Sequence, residues 1–333
     1  MPVFFCSVEA EVQSLFRRRP EPILLFDQQR QRIRSLTNGC QCQVMVTVES
    51  VTDQYTSVIE RTNARFKFCK RGVDSARGAG QKLRTMSLPP ILYHYFSRPL
   101  PYLRALHLQE SIHALQLQQR RSSASHQDIL LLLQHKPVYT SGRRLTQSET
   151  ASERARLTAL GADFVHSQRG GELTYHGPGQ LVGYPLLDLG RTRPAIGIRD
   201  YICCLQRILS LHLREAHGLA PVTSEHTGVF LGEHEKVASI GVQVRHRLTS
   251  HGFAMNVTRE PRAWFDQVVA CGLADVKAAS IEGATSGERE VGTEVPGIVE
   301  RFGRVMERQM VPLELGSGKL AELVYTLEQE YSN

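Results

Sequence analysis

The sequence lacks the patterns that mark membrane-spanning and nucleotide-binding proteins. No stretch of its 333 residues reaches the roughly 18 apolar residues that a transmembrane helix needs. No Gly-x4-Gly-Lys-Ser/Thr motif occurs, which excludes a Walker A phosphate loop. Because 41% of the residues are hydrophobic, the chain can still bury a sizeable core, and we predict a globular protein without a membrane span.

Cysteine occurs seven times, but not in the patterns typical of disulfides or zinc sites. There is no Cys-x2-Cys pair and no suitably spaced set of cysteines and histidines, so no metal and no cofactor are expected. Cys40 and Cys42 are too close for a relaxed disulfide. Cys203 and Cys204 lie in an apolar helical pattern, where a thiol usually packs as a small hydrophobe. The odd number of cysteines favours a reducing compartment. Of the seven, only Cys271 has unusual surroundings in the sequence.

The positive charge of the sequence is concentrated near its beginning. The formal net charge is +7, but residues 1–85 hold 14 Lys/Arg against 8 Asp/Glu, while the remainder is almost balanced at 26 against 25. Such a distribution does not indicate a basic groove in the folded part, so no nucleic-acid partner is expected. We interpret residues 1–85 as a disordered or targeting extension. A targeting segment should be nearly free of acidic residues, so the presence of Glu9 and Glu11 fits that interpretation poorly. Residues 86–333 then form the folded domain, with Met86 as an alternative start.

Apolar residues beyond about residue 100 alternate between strand and helix patterns. Strand patterns occur at 129–133, 181–189, 236–244 and 253–257, and helical stripes at 100–116, 152–160, 200–217, 298–306 and 320–331. The segment Gly283–Glu294 is polar and is predicted to be an exposed loop. Helices beside a sheet rich in antiparallel strands predict an α/β (α+β) single domain, a mixed sheet flanked by helices.

A glycine-rich segment around a histidine is the most unusual part of the sequence. It reads RGGELTYHGPGQ at 169–180 and precedes a predicted strand. Glycines allow a ligand to approach the backbone closely and leave amide groups free to donate, so the loop could cradle a carbonyl or phosphate oxygen. Taken alone, the segment is also well explained as a glycine-rich turn between strands.

The longer run RGGELTYHGPGQLVGYPLLDL closely resembles the signature of the lipoyl(octanoyl) transferases. Four other blocks resemble that family in the right order: HKPVYTSGRR at 135–144, KVASIGVQV at 236–244, HGFAMNV at 251–257 and ACG at 270–272. The resemblance implies a fold similar to the biotin/lipoate protein ligases and an acyltransferase that carries out the first step of protein lipoylation. It implies octanoyl-acyl-carrier protein as donor. The implied acceptors are lipoyl domains of oxoacid dehydrogenase E2 subunits and the glycine-cleavage H protein.

Two residues are candidates for the chemistry. Transfer of an acyl group from one thioester to a cysteine is nearly isoenergetic, and an amine can attack the new thioester without ATP. A free thiol has a pKa of about 8.5, so a nearby cation is needed to form the thiolate near neutral pH. The resemblance assigns Cys271 as the nucleophile and Lys236 as the cation that lowers its pKa and carries a proton. Without the resemblance, Lys236 is equally well interpreted as a solvated lysine at the end of a strand, and Cys271 as a buried, inert thiol.

The resemblance also implies which residues line the acyl pocket. They are Arg169, Gly170, Gly171, Glu172, Leu173, Thr174, Tyr175, His176, Ser239, Ile240, Gly241, Gly252, Phe253 and Ala254. Free amides of Gly170, Gly171 or Gly241 are candidates for an oxyanion hole. His176 either orients the carbonyl or relays a proton, or it only braces the loop, and Asp188 is predicted to be structural.

Two alternatives and two departures from the family pattern remain open. An ATP-dependent lipoate or biotin ligase shares the fold, but typically has a glycine-rich block that ends in His-Asp. A non-catalytic scaffold could use the basic extension to bind RNA or membranes. The family commonly has proline before its cysteine and threonine-serine after it, where this chain has Ala270 and Ala279-Ser280. We expect a mitochondrial location if the source is a eukaryote, and a cytoplasmic one otherwise.

Overall fold

Strands and helices are interspersed along the chain, as the apolar patterns predict. The structure, a computed structural model, describes residues 88–122, 125–146, 148–192, 194–268 and 275–331. The predicted extension 1–85 and the segment that contains Cys271 lie outside these ranges. Among the described helices, none has both the length and the apolar character that crossing a membrane requires.

The elements are numbered in chain order within the described ranges. The strands are β1 (Ile91–Tyr95), β2 (Asp128–Leu133), β3 (Val138–Ser141), β4 (Asp163–His166), β5 (Thr174–His176), β6 (Gln180–Leu186), β7 (Val229–Gly232), β8 (Glu235–Arg245), β9 (Leu248–Asn256), β10 (Lys277–Ala278) and β11 (Met310–Pro312). The helices are α1 (Tyr102–Arg121), α2 (Ala151–Ala159), α3 (Ile198–His217), α4 (Glu260–Phe265), α5 (Ile281–Ala284), α6 (Val291–Met306) and α7 (Lys319–Glu330).

Eight strands form one mixed sheet, in the order β10-β8-β9-β6-β2-β1-β11 with β7 also paired to β8. β1 runs parallel to β2 and β11, and β10 runs parallel to β8, whereas the remaining pairs are antiparallel. The strands β4, β3 and β5 form a second, smaller sheet. This architecture confirms the predicted mixed sheet.

Helices cover both faces of the large sheet, and β2 shows why. Its side chains are buried at every position, as expected for a continuous apolar run in a central strand. Leu130 and Leu132 join the hydrophobic cluster that contains the apolar faces of α3 and α6. Ile129 and Leu131, on the opposite face, join the cluster that contains those of α1 and α7. The predicted flanking helices are therefore confirmed.

Helix α3 buries one face, as its apolar stripe predicts. Leu205, Ile208 and Leu209 are fully buried on one face, and burial of each such side chain stabilises the fold by about 1.5–3 kcal/mol. The helix ends at Gly218, which has φ of +66° in the left-handed region that glycine adopts without strain. The amide of Leu219 then donates to the carbonyl of Leu213 at 3.0 Å.

The predicted exposed loop Gly283–Glu294 is wrong at both ends. Helix α5 includes Gly283, and α6 begins at Val291, seven residues before Ile298, where the helical stripe was expected to start. Val291 and Val295 extend the buried stripe of α6 toward its start, and Glu294 is also buried. Polar composition therefore misled the prediction here, because a carboxylate can be buried when its partners are buried too.

Candidate active site

A cleft lies beside β8 and β9, on the side where the glycine-rich segment approaches the sheet. It contains about 470 Å³ of empty space, including the part open to solvent. The predicted residues that line it are Arg169, Gly170, Gly171, Thr174, His176, Ser239, Ile240, Gly241, Gly252, Phe253 and Ala254. The structure thus brings residues from all three predicted segments to one cleft.

Strand pairing explains why these segments meet. β8 and β9 form an antiparallel pair in which Gly241 lies opposite Gly252. The amide of Gly170 donates to the carbonyl of Val242 at 3.1 Å, so the glycine-rich segment is hydrogen-bonded to β8. A Cβ atom on Gly241 would lie 3.0 Å from the carbonyl oxygen of Gly170. Glycine at this position therefore permits the close approach of the two backbones.

Arg169 holds the glycine-rich segment against β3. Its side chain is buried, and the guanidinium donates to the carbonyl of Thr140 at 2.5 Å and to the hydroxyl of Thr140 at 2.9 Å. It also donates to the carbonyls of Gly170 at 3.1 Å and Glu172 at 2.7 Å. Arg169 therefore fixes the backbone at the edge of the cleft and places a positive charge there.

Two further histidines near His176 are neutral, and the tautomer of one is fixed. Burial lowers the pKa of His135 to about 4, and burial together with the charges of Arg169 and Arg245 lowers the pKa of His251 to about 3. Nδ1 of His135 lies 3.0 Å from the carbonyl of Leu100, which can only accept, so this nitrogen carries the proton. Nε2 of His135 then accepts from the hydroxyl of Tyr184 at 2.6 Å.

The tautomer of His176 is fixed by a chain of side-chain amides. The carbonyl of Ala279 can only accept, so the amide nitrogen of Asn256 donates to it at 2.8 Å. Oδ1 of Asn256 therefore accepts from Nε2 of Gln180 at 2.9 Å. Oε1 of Gln180 then lies 2.7 Å from Nδ1 of His176, which must carry the proton. Nε2 of His176 remains an acceptor at the cleft, with no hydrogen-bond partner in the described part of the chain.

Burial also determines the charge of His176. It lowers the pKa of this residue well below 6.5, and the nearby His135 and Arg169 lower it further. A neutral imidazole with a strongly lowered pKa accepts a hydrogen bond readily but holds a proton poorly. Among the predicted roles for His176, the geometry and the pKa therefore favour orientation of a substrate group over proton relay.

Three predicted pocket residues do not line the cleft. Thr174 and His176 face it from β5, so Tyr175 between them points the other way, where its ring stacks on Trp264 with a centroid distance of 5.2 Å. Leu173 is buried in the same small hydrophobic cluster as Tyr175. The side chain of Glu172 is partly exposed, and only its backbone carbonyl contributes to the loop.

Three backbone amides were predicted to be free donors for an oxyanion hole, and of these only the amide of Gly171 is fully free among the described residues. The amide of Gly170 is already bonded to Val242, so the prediction is wrong for Gly170. Gly241 lies within the ladder between β8 and β9. The amide of Gly171 donates to none of the described residues, and Gly171 has φ of +93°, a conformation that favours glycine.

Lys236 lies on β8, outside the lining of the cleft. Its Nζ atom is 5.5 Å from the ring centroid of Phe230, and its stem passes Gly228, where a Cβ atom would lie 2.6 Å from Cε of the lysine. The backbone of Lys236 pairs with β10, since its carbonyl accepts from the amide of Ala279 at 2.9 Å. Cys271 precedes Ala279 by eight residues and is not among the described ones.

Four lining residues were not predicted from the sequence. Val182 and Tyr184 project from one face of β6, and Tyr102 projects from α1. His251 directly precedes the predicted Gly252. An alternation pattern through LVGYP could have indicated the first two, because residues two apart share a face of a strand. The contribution of α1 has no signal in the local sequence.

Comparison with known proteins defines the class. Residues 101–299 match the family model of the lipoyl protein ligase A/B catalytic domain, so the chain belongs to this family. Two solved structures share the fold: lipoate-protein ligase A bound with ATP, and a bipartite lipoate protein ligase from Thermoplasma acidophilum. The TM-scores are 0.53 and 0.51, the identities 15% and 16%, and the matches cover 74% of this chain in both cases and 96% and 94% of those chains. The predicted similarity to lipoate protein ligases is confirmed.

Curated relatives narrow the class further. The chain is 40% identical over 202 residues to the mitochondrial octanoyl-[acyl-carrier-protein]:protein N-octanoyltransferase LIPT2 of Danio rerio. This match covers 58% of this chain and 85% of that one. It is 37% identical to an octanoyltransferase of Koribacter versatilis, over 56% of this chain and 75% of that one. It is 34% identical to the mitochondrial octanoyltransferase LIP2 of Arabidopsis thaliana, over 55% and 75%. The predicted resemblance to the lipoyl(octanoyl) transferases is confirmed.

Proposed function

We propose that this protein transfers an octanoyl group from octanoyl-acyl-carrier protein to a lysine of a lipoyl domain. The observation that carries the proposal is the convergence of the three predicted segments on one cleft, in a chain 40% identical to an N-octanoyltransferase. The apolar part of the cleft, including Ile240 and Phe253, suits an alkyl chain, since burial of each methylene contributes about 0.8 kcal/mol.

The first half of the reaction forms a thioester on Cys271. The thiolate of Cys271 attacks the carbonyl carbon of the octanoyl thioester, and a tetrahedral intermediate forms. The carbon–sulfur bond to the carrier breaks, and the departing thiolate takes up the proton that Cys271 gave to Lys236. No ATP is consumed, because one thioester replaces another.

The second half of the reaction forms an amide. The neutral amine of the acceptor lysine attacks the acyl-enzyme, the bond to the sulfur of Cys271 breaks, and the amine loses a proton as the amide forms. Lys236 carries that proton back to the cysteine or to solvent. Pairing of β8 with β10 supports this assignment, because the chain that follows the segment of Cys271 is hydrogen-bonded to the backbone of Lys236.

The edge of the cleft supplies groups that suit the developing charge. The amide of Gly171 is an available donor for the oxygen of the tetrahedral intermediate. Nε2 of His176, which must accept, suits the N–H of the attacking amine. Arg169 adds positive charge at the same edge, while Gln180 and Asn256 are positioning residues that act through His176.

The acceptors that we propose are the lipoyl domains of oxoacid dehydrogenase E2 subunits and the glycine-cleavage H protein. In a eukaryote these complexes are mitochondrial, so we propose a mitochondrial location there and a cytoplasmic one in a bacterium. The eukaryotic relatives named as mitochondrial support the first part of this proposal.

Mass spectrometry tests the mechanism directly. Incubation of the purified protein with octanoyl-acyl-carrier protein, in the absence of ATP, should add one octanoyl mass to the peptide that contains Cys271. Addition of a lipoyl domain should move that mass to its lysine. Transfer that requires ATP would indicate a ligase of the same fold, and absence of both acylation and transfer would indicate a non-catalytic scaffold. Cys271→Ser should lose transfer and keep the fold.

A further inference from the structure

Three ionisable side chains from two helices converge on one point outside the cleft. His212 and His217 lie on α3, and Glu294 lies in the first turn of α6. Nε2 of His212 is 2.6 Å and Nε2 of His217 is 2.8 Å from the same oxygen, Oε2 of Glu294. The three side chains are only 1%, 4% and 5% exposed. None of them lines the cleft.

The packing of α3 against α6 brings this cluster together. A Cβ atom on Gly297 of α6 would lie 2.8 Å from Cε1 of His212, so the glycine leaves room for the imidazole ring between the helices. The rings of His212 and His217 are arranged edge to face, with centroids 5.2 Å apart. Both rings therefore direct a nitrogen at the carboxylate from the α3 side.

The charge of Glu294 needs compensation, because a buried carboxylate is costly unless it is paired. Within the described residues its hydrogen-bond and ion-pair partners are the two histidines. The nearby guanidinium of Arg301 pairs with Glu215 at 3.3 Å and Glu300 at 3.2 Å, and Arg304 pairs with Glu215 at 2.6 Å. These arginines are thus paired with other carboxylates. The negative charge of Glu294 must therefore be compensated where His212 and His217 meet it.

We propose that His212, His217 and Glu294 form a zinc site that joins α3 to α6. Two imidazole nitrogens and a carboxylate are a ligand set that Zn²⁺ accepts. One ligand atom from each residue can be chosen so that all three lie within 4.8 Å of one another. In a tetrahedral zinc site, ligand atoms are about 3.3 Å apart, so the nitrogen–oxygen distances of 2.6 Å and 2.8 Å must open by about 0.7 Å and about 0.5 Å.

Coordination also determines which nitrogen of each ring carries the proton. When Nε2 of each histidine donates to Glu294, the Nδ1 atoms of His212 and His217 have no partner among the described residues. Coordination of the cation through Nε2 requires each ring to carry its proton on Nδ1 instead. The two oxygens of one carboxylate lie too close together to fill two tetrahedral positions, so the three side chains leave the fourth position of the zinc ion to water.

Metal titration of the full-length protein tests the proposal. After treatment with EDTA, the wild type should bind one equivalent of Zn²⁺ more than His217→Gln and Glu294→Gln, and its Tm should rise with Zn²⁺ more than theirs. Glutamine keeps a hydrogen-bonding group but is a poor zinc ligand, so affinity at this site should fall at least about tenfold. His94→Gln is the matched control: it removes a histidine 2.8 Å from Glu328, where no third ligand is present among the described residues.

Equal zinc stoichiometry in the wild type and in His217→Gln would overturn the proposal, since that outcome indicates a hydrogen-bonded triad without metal. If the variants fail to fold, Co²⁺ bound to the wild type keeps the test decisive. A tetrahedral cobalt spectrum without the near-ultraviolet band of a thiolate ligand supports the site. A spectrum that shows only thiolate ligation assigns the metal to cysteines and contradicts it.

Discussion

Oε1 of Gln180 accepts a hydrogen bond from Nδ1 of His176 at 2.7 Å, and the direction of this bond is imposed by the carbonyl of Ala279. Asn256 transmits the constraint between them. Ala279 also donates its own amide to the carbonyl of Lys236. Backbone groups of Ala279 therefore link the strand of Lys236 to the tautomer of His176, although Ala279 itself has no side-chain hydroxyl.

Gln180→Glu should change the pH dependence of transfer more than the fold. A carboxylate beside Nδ1 of His176 favours the imidazolium, so the pKa of His176 should rise and Nε2 should lose its role as acceptor at mildly acidic pH. We expect kcat to fall by about tenfold or more and the acidic limb of the pH–rate profile to move to higher pH. Steady-state rates between pH 5.5 and 8.5 measure this.

Gln134→Glu is the control for that prediction. Oε1 of Gln134 accepts from the amide of Gly179 at 2.9 Å, so a glutamate there keeps the acceptor and adds charge to the same loop without contacting His176. The control should leave the acidic limb where it is in the wild type. An equal displacement in both variants would show that charge in the loop, and not the tautomer of His176, determines the profile.

Lys236→Met should raise the pH needed to alkylate Cys271. Methionine keeps an apolar stem beside Gly228 and Phe230 but removes the cation that would favour the thiolate. Iodoacetamide rates between pH 6 and 10, read by mass spectrometry of the Cys271 peptide, measure the change. Lys277→Met, on the neighbouring strand β10, is the matched control. Alkylation profiles that coincide in the wild type and in Lys236→Met would remove Lys236 from this role.

Stability should fall as the pH decreases below about 6.5. Burial lowers the pKa of His135 to about 4, whereas an unfolded histidine titrates near 6.5, so unfolding takes up a proton between these values. The contribution of His135 is complete above pH 6.5 and is lost as the pH falls from 6.5 toward 4. His135→Gln should reduce the slope of the free energy of unfolding against pH by up to about 1.4 kcal/mol per pH unit. Denaturant titrations at several pH values measure the slope.

The exposed His107 provides the comparison for that measurement. His107→Gln makes the same substitution at an exposed position, so it measures the effect of the substitution without removing a buried imidazole. A slope for His135→Gln that equals the wild-type slope would show that the buried imidazole of His135 is protonated in the folded state over this range.

The sequence predicted those elements in which the pattern of apolar residues follows directly from burial, either of one face of a helix or of both faces of a strand. The apolar run of β2 and the buried stripe of α3 are of this kind, and their bounds differ from the predicted ones by one or two residues. The start of α6 was missed, because Glu294 gave a polar appearance to a buried turn. Its charge is tolerated through His212 and His217, 82 and 77 residues away, which a local pattern does not reveal.

The site was predictable where ordered blocks resemble a family, and less so where side-chain direction matters. Family blocks indicated the whole run from Arg169 to His176, yet strand alternation turns Tyr175 away from the cleft. The resemblance does not reveal that the amide of Gly170 is used by β8, because hydrogen-bond pairing depends on the register of a distant strand. The contribution of Tyr102 likewise depends on how α1 packs on the sheet.

The boundary of the catalytic domain can be tested by two truncations. A chain that starts at Met86 retains Pro89 and Pro90, whose carbonyls accept from the guanidinium of Arg308 at 2.7 Å and 3.2 Å. The same guanidinium pairs with the buried carboxylate of Asp128. We propose that this chain folds and transfers octanoate at close to the full-length rate, because residues 1–85 precede every family block.

A chain that starts at Leu92 should be less stable, although it is only six residues shorter. It lacks both carbonyl acceptors of Arg308 and the amide of Ile91 that bonds to Gln309 at 2.8 Å, and each lost hydrogen bond to a charged group costs about 1.5–3 kcal/mol. Thermal unfolding and the rate of transfer to a lipoyl domain should therefore separate the two truncations. If the chain that starts at Met86 is insoluble or inactive while the full-length protein transfers octanoate, residues 1–85 contribute to the catalytic domain, and the boundary at residue 86 is wrong.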